Sequence, residues 1–376
     1  MGMHKSTALR SLQPLEVAGY LRANGWRREA ELNGKGSLWL REHDEDLTLP
    51  ERRDLGDHVL RMEEVVHTLA NVESRSEDDV LSDLQTVTSD LIRVRAAGGT
   101  TPFGTLPLDA AVALAASSRD LLLAAACAAI TRRPVYANRK PNQALDYLRG
   151  VQMGQTERGS YVLTILSPVL PELRPVQERL FPGDWDEPFA RKVTRSLMES
   201  LQALDGAARQ AMSHGDMQPF QDAVRSGVSA NLCDAVADLS EAGSGEGLEV
   251  QVAWSPTRAI TSGTPGRVSL SRDAMPPILE AARAFRDTSL VEDVDVEGVV
   301  TVLDRGVTAI EGEVTITGNV EGQVRRVLVR LGEPTYRQAV QAHQERQVVT
   351  CVGDLRRLPT GLRLENPRHF AILAGE

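Results

Sequence analysis

Residues 291–376 constrain the fold more tightly than any other part of the sequence. Residues 294–303 (VDVEGVVTVL), 311–317 (EGEVTIT) and 323–331 (QVRRVLVRL) alternate apolar and polar side chains and read as three strands. Residues 334–345 follow as one helix, with Pro334 near its start, where a missing N–H is harmless. Residues 348–352 read as a fourth strand and 362–364 as a fifth, extended by 370–373. Gly298, Gly312, Gly318, Gly322 and Gly353 fall where a small barrel bends or turns.

Three strands, a helix and two strands is the order of the OB-fold, a five-stranded Greek-key barrel, which residues 291–376 therefore resemble. The resemblance is to a fold, and fold does not entail function. Single-strand binders of this shape stack bases on aromatic side chains. Strands one to four, over residues 294–352, hold no Phe or Trp, and their one Tyr, Tyr336, lies on the intervening helix. Phe370 stands near the end. Arg325, Arg326 and Arg330 put charge on the third strand, but alternation sends Arg325 and Arg326 to opposite faces. With no stacking platform, the barrel is expected to dock protein or to touch nucleic acid through shape and backbone alone.

The remainder predicts an α+β protein of three modules. Residues 1–97 read as an acidic helix–hairpin–helix–helix module: a helix over 14–24, strands at 37–40 and 47–49, a helix from Asp54 to about residue 72, and another from Ser76 to about residue 95. Ser76 with Asp79 makes an imperfect capping box. Residues 98–102 (GGTTP) are the linker. Residues 103–288 form a mixed α/β middle domain with a basic segment, and 291–376 the OB-like barrel. In the middle domain, helices are expected over 108–130, 142–149, 188–212, 218–239 and 276–287. The strands 159–167 (GSYVLTILS) and 248–255 (LEVQVAWS) both end in Ser-Pro, and they read as two strands of one sheet.

A chain of 376 residues with 41% hydrophobic content has room for two or three domains, each with its own core. Its opening residues show no secretory signal, and its longest apolar run, 121–130, is about half the roughly 20 residues of a bilayer span. Cys127, Cys233 and Cys351 are scattered through apolar stretches, as core thiols of a reducing cytoplasm are. Only four of the 42 basic residues are lysine (Lys5, Lys35, Lys140, Lys192), a bias of GC-rich bacterial coding. Charge is uneven. Residues 1–90 carry 11 basic and 18 acidic groups, a net of -7, while 130–195 carry 11 and 7, a net of +4. The overall charge of -10 argues against indiscriminate nucleic-acid binding, though not against one basic groove.

No phosphate-binding glycine loop, GxSxG or HExxH is present. Glu64 and His67 have the spacing of a di-metal helix, but no second copy matches them. The tip His43–Asp46 is acidic, as soluble turns often are. Catalytic residues are therefore unassigned, and no metal or cofactor is expected. The remaining candidates are electrostatic: Arg132, Arg133, Arg139, Lys140, Arg191, Lys192 and Arg195 would bind an anionic partner, with Arg149 and Arg158 nearby. Trp39 on the hairpin is the candidate interface anchor. The expected function is a non-enzymatic binding or scaffold subunit of a larger bacterial cytoplasmic assembly, with a protein partner or self-association and no membrane. A nucleic-acid-associated role, in DNA maintenance or phage defence, is the first alternative. An enzyme with dispersed catalytic residues is the second.

Overall fold

The computed structural model describes residues 2–41, 45–96, 105–136, 139–154, 162–169, 187–243, 245–258, 260, 263–288, 290–306, 309–320, 322–358 and 361–373. The protein is a mixed α+β chain, with eleven α-helices among the described residues and a closed five-stranded barrel in its C-terminal region. It divides into two compact units: residues 1–95, 150–198 and 250–267 form the first, and 96–149, 199–249 and 268–376 the second.

The first unit begins with α1 (Gly2–Ser11) and α2 (Pro14–Ala23), followed by β1 (Arg27–Leu32), β2 (Gly36–Arg41) and β3 (Glu45–Pro50) in an antiparallel sheet. The expected hairpin is thus three strands. β1 (RREAEL) is exposed along its whole length, so no apolar alternation announces it. α3 (His58–Glu73) starts four residues later than expected, because Asp54 is engaged by Arg52 instead of capping the helix. α4 (Glu77–Thr86) is capped by Ser76, whose Oγ accepts the Asp79 N–H at 3.1 Å. Residues 89–96 are not the end of that helix but strand β4 (Ser89–Ala96), in which Asp90, Ile92 and Val94 point inward at period two. Leu9, Val17, Leu21, Trp26, Leu49, Met62, Val66, Leu69 and Leu84 fill the core of this unit.

A second sheet has the strand order β5-β6-β4-β7-β8. Its further members are β5 (Gln152–Met153), β6 (Val162–Pro168), β7 (Gly247–Ala253) and β8 (Arg267–Ser271). The two strands leading to Ser-Pro, β6 and β7, lie in one sheet, as the sequence suggests. β4 pairs antiparallel with β6, from Ser89 opposite Pro168 to Arg95 opposite Val162.

The helices of the middle region are α5 (Leu108–Ile130), α6 (Asn142–Gly150), α7 (Phe189–His214), α8 (Gln218–Ala223), α9 (Ala230–Ala242) and α10 (Met275–Thr288). α5 is long and apolar enough by length and composition to cross a bilayer. Here Leu121 to Ala128 are buried, and the helix packs on α9 within the second unit. The single helix expected over 218–239 is two. Gly227 breaks it with a backbone φ of 99°, and Ser229 restarts it by accepting the Leu232 N–H at 3.2 Å.

The barrel comprises β9 (Val291–Asp304), β10 (Glu311–Val320), β11 (Gln323–Gly332), β12 (Val348–Leu358) and β13 (Gly361–Ile372), with α11 (Glu333–Glu345) between β11 and β12. It closes in the order β10-β11-β13-β12-β9, with β9 pairing back to β10. β11 and β13 are parallel, through Val327–Leu362, Leu328–Arg363 and Val329–Leu364, and the other pairs are antiparallel. This is consistent with an OB-like barrel. Val294, Val296, Val314, Ile316, Val327, Val329, Val349 and Leu364 are buried in its interior. α11 covers one end: Tyr336 lies on Gly312, His343 Nδ1 donates to the Val300 carbonyl at 2.7 Å, and Arg305 pairs with Glu333.

A Cβ at residue 312 would run into the Tyr336 ring. Gly312→Ala is expected to destabilise the protein by about 1–3 kcal/mol, the usual range for overpacking, read as a lower urea midpoint. His58, 4% exposed at the start of α3, has its pKa lowered from the ordinary 6.5, chiefly by burial and then by Arg53. The unfolded chain takes up the proton more readily than the folded one. The histidine's contribution is therefore complete above about pH 6.5 and is lost as pH falls through the lowered folded value. Thermal melts from pH 7 to pH 5 should show a smaller loss of Tm in His58→Leu than in the wild type.

Candidate anion-binding surfaces

The seven basic residues singled out by the sequence belong to two different units, Arg132, Arg133, Arg139 and Lys140 to the second and Arg191, Lys192 and Arg195 to the first. The first four follow α5, where Pro134 keeps the chain out of helix. Arg132 meets Glu199 at 3.2 Å and donates to the Arg225 carbonyl, and Arg133 pairs with Glu292. Arg133, Arg139 and Lys140 come together around a cavity of about 220 Å³, but Glu292 and Asp293 line it too. The acidic start of β9 thus answers much of this charge inside the same unit.

The trio on α7 has structural work of its own. Arg191 is 1% exposed and its Nη2 lies 3.0 Å from Oδ1 of Asp90, which is fully buried. Asp90 Oδ1 also accepts the Ser255 N–H at 2.9 Å, and Oδ2 accepts the Thr194 hydroxyl at 2.6 Å. Arg191 donates further to the Ser255 carbonyl at 3.1 Å and lies over the Trp254 ring. Burial pushes the Asp90 carboxyl up from its ordinary value, while Arg191, Thr194 and the Ser255 amide pull it back. Arg195 pairs with Glu187 at 2.8 Å, and Lys192 is half-buried. A basic helix N-terminus opposes its own dipole, and Asp90 and Glu187 supply the local reason for it here.

Trp39 stands in the core of the first unit with Met62, Val66 and Leu69 of α3, and is 1% exposed. Its indole N–H donates to Ser37 Oγ at 3.0 Å, and the Arg22 guanidinium lies 5.5 Å from its ring centroid. Ser37 and Trp39 turn inward and Leu38 is half-buried. An anchor for a partner must present its ring, and this one is covered by its own chain.

The barrel assembles a basic surface that the sequence does not group. On β11, Val327, Val329 and Leu331 face inward, so Arg326, Leu328 and Arg330 face out. The parallel register sets Arg363 of β13 beside Leu328, and Arg356 of β12 sits opposite Arg363. Four arginines therefore share the outer face of three adjacent strands. Glu313 takes Arg330 at 2.8 Å and Glu365 takes Arg356 at 3.3 Å. Arg326 and Arg363 have no carboxylate partner among the described residues, which leaves the patch with two positive charges in excess.

Other motifs carry no such grouping. Glu64 pairs with Arg61 at 2.8 Å and His67 meets Glu77 at 2.8 Å, both on an exposed face. Among the described residues no three His, Cys, Asp or Glu side chains stand together as a metal site. His43, Asp44, Arg158 and the 98–102 linker lie outside the described residues. Cys127, Cys233 and Cys351 are buried free thiols whose pKa values burial raises. Set against known proteins, the chain matches no family model, no curated protein and no solved structure.

The α7 geometry separates structural from surface cations. Asp90→Ala leaves the Arg191 charge buried without its partner and should cost about 3–5 kcal/mol, whereas Lys192→Glu should change stability by under about 0.5 kcal/mol. Urea denaturation of both variants measures the contrast.

Proposed function

We propose that the protein is a non-enzymatic binding subunit of a larger cytoplasmic assembly, and that its OB-like barrel is the docking module. The observation that carries the reading is the outer face of β11, β13 and β12, where Arg326, Arg330, Arg356 and Arg363 converge with two carboxylates among the described residues to answer them. Arginine is the side chain suited to carboxylate and phosphate at interfaces, because its planar fork donates two parallel hydrogen bonds. The partner is an acidic protein surface. Strands β9 to β12 present no aromatic ring on which a base could stack, and complementary charge would steer such an encounter more than tighten it. The same arginines favour, as a second reading, backbone contact with duplex nucleic acid.

Fluorescence anisotropy with labelled poly-glutamate and with a labelled duplex separates the two. The proposed function predicts saturable, salt-sensitive binding of poly-glutamate that weakens about tenfold in Arg326→Glu/Arg363→Glu. Tighter binding of the duplex, with a log–log salt slope of about -0.9 per phosphate contact, would favour the second reading. Binding of neither probe, or equal binding by the variant, overturns the role of this face.

A further inference from the structure

A second outward face of the barrel is built around β9. Val294, Val296 and Val300 turn into the core, so alternation sends Asp295, Glu297 and Val299 outward. Val299 lies between Val348 of β12 and Thr317 of β10. Leu373, whose N–H donates to the Val348 carbonyl at 2.8 Å, extends the row. A bulge at Thr301 adds Val302 to the same face, opposite Thr315. Val299, Val302, Val348 and Leu373 are 37%, 53%, 38% and 37% exposed. Acids edge this strip: Glu297 stands beside Thr350 and Asp295 beside Val352, and both carboxylates belong to exposed residues.

An antiparallel sheet that meets water commonly turns polar residues to it, and neighbouring exposed apolar side chains mark an interaction surface. The strip has a counterpart on the same barrel. In the closed order β10-β11-β13-β12-β9, β9 stands across from the β11–β13 pair. The valine strip and the arginine face are therefore back to back. One face holds Leu328 among Arg326, Arg330 and Arg363, an apolar centre with basic neighbours. The other holds Val299 beside Glu297, with Asp295 further along the strand, an apolar centre with acidic neighbours. The two patterns match in apolar character and oppose in charge. Placed back to back, they cannot meet within one molecule.

We propose that the acidic surface to which the arginine face docks is the β9 strip of a second copy of this chain. The inference rests on the docking role proposed above for that face and names its partner. Opposite charge sets the register of such a contact, and the valines supply apolar area. Because it joins two different patches, each added copy presents a fresh one. Assembly then continues past two chains, to a ring or an open filament.

Sedimentation velocity of the full chain over a concentration series tests the proposal. The mass should rise past that of two chains. Asp295→Arg/Glu297→Arg and Arg326→Glu/Arg363→Glu should each sediment as monomers. Mixed in equal amounts they should assemble again, because each reversed face then meets its opposite on the other variant. Circular dichroism and Tm confirm that each variant is folded. If either double variant does not fold, Glu297→Arg or Arg326→Glu alone, each at an exposed position, takes its place with the same expectation. A monomer at every concentration, a dimer that grows no further, assembly unchanged in a folded variant, or no assembly on mixing overturns the proposal. Poly-glutamate binding separates that failure from failure of the docking role. A wild-type monomer that binds poly-glutamate through Arg326 and Arg363 overturns the second copy as partner and leaves the docking face standing. A chain that neither assembles nor binds poly-glutamate overturns both.

Discussion

Parallel pairing of β11 with β13 sets the outer arginine face of the barrel on which the proposed docking relies. Strands joined by hairpins can only be antiparallel neighbours, so a parallel pair requires an excursion between them. Here that excursion is α11 and β12. The register Val327–Leu362, Leu328–Arg363 and Val329–Leu364 closes the barrel and decides the two faces together. Because side chains alternate, it sends Arg326, Arg330, Arg356 and Arg363 outward and leaves Arg325 and Arg357 on the other side of the pleat. A slip of one residue would exchange the two sets and turn Leu364 out of the core.

The first unit rests on a different kind of constraint. Asp90, Arg191, Thr194 and Ser255 come from β4, α7 and the segment after β7; both Asp90 oxygens are taken, while Arg191 uses Nη2 on Asp90 and Ser255 and leaves its buried Nε without a partner among the described residues. A buried pair of this kind adds little net stability over a well-packed apolar substitute, but it penalises any arrangement in which one partner is missing. It therefore selects one docking of α7 against the sheet.

What could be read from the sequence follows from how local each signal is. The barrel strands were legible because Val, Ile and Leu alternate with polar residues over long stretches, and because Pro334 and the glycines punctuate them at the right places. Ser76 as a cap was legible for the same reason, its partner Asp79 being three residues away. β1 was not, since an edge strand exposed on both faces has no apolar period to display. β4 was hidden by the acidic helix before it, whose periodicity runs on into residues 89–96 when tertiary pairing is unknown. The grouping of the seven basic residues is non-local. Charge counted along the chain grouped Arg191 with Arg132, although one is buried on Asp90 and the other lies in a different unit. Arg326 and Arg363 are 37 positions apart and meet only through register.

The first unit draws on three separated stretches of chain, and that has a consequence for synthesis. Asp90 and the Ser255 amide that it accepts are 165 residues apart. At roughly 5–20 residues per second, translation delivers the second partner on the order of ten seconds after the first. During that interval the sheet edge at β4 and the apolar residues beneath it have emerged without the segments that cover them, long after a local helix or hairpin would have formed. An incomplete sheet edge with apolar residues beneath it is the kind of transient surface through which nascent chains aggregate. The barrel strands, by contrast, lie within one contiguous stretch, and none of them waits for a distant segment to pair with.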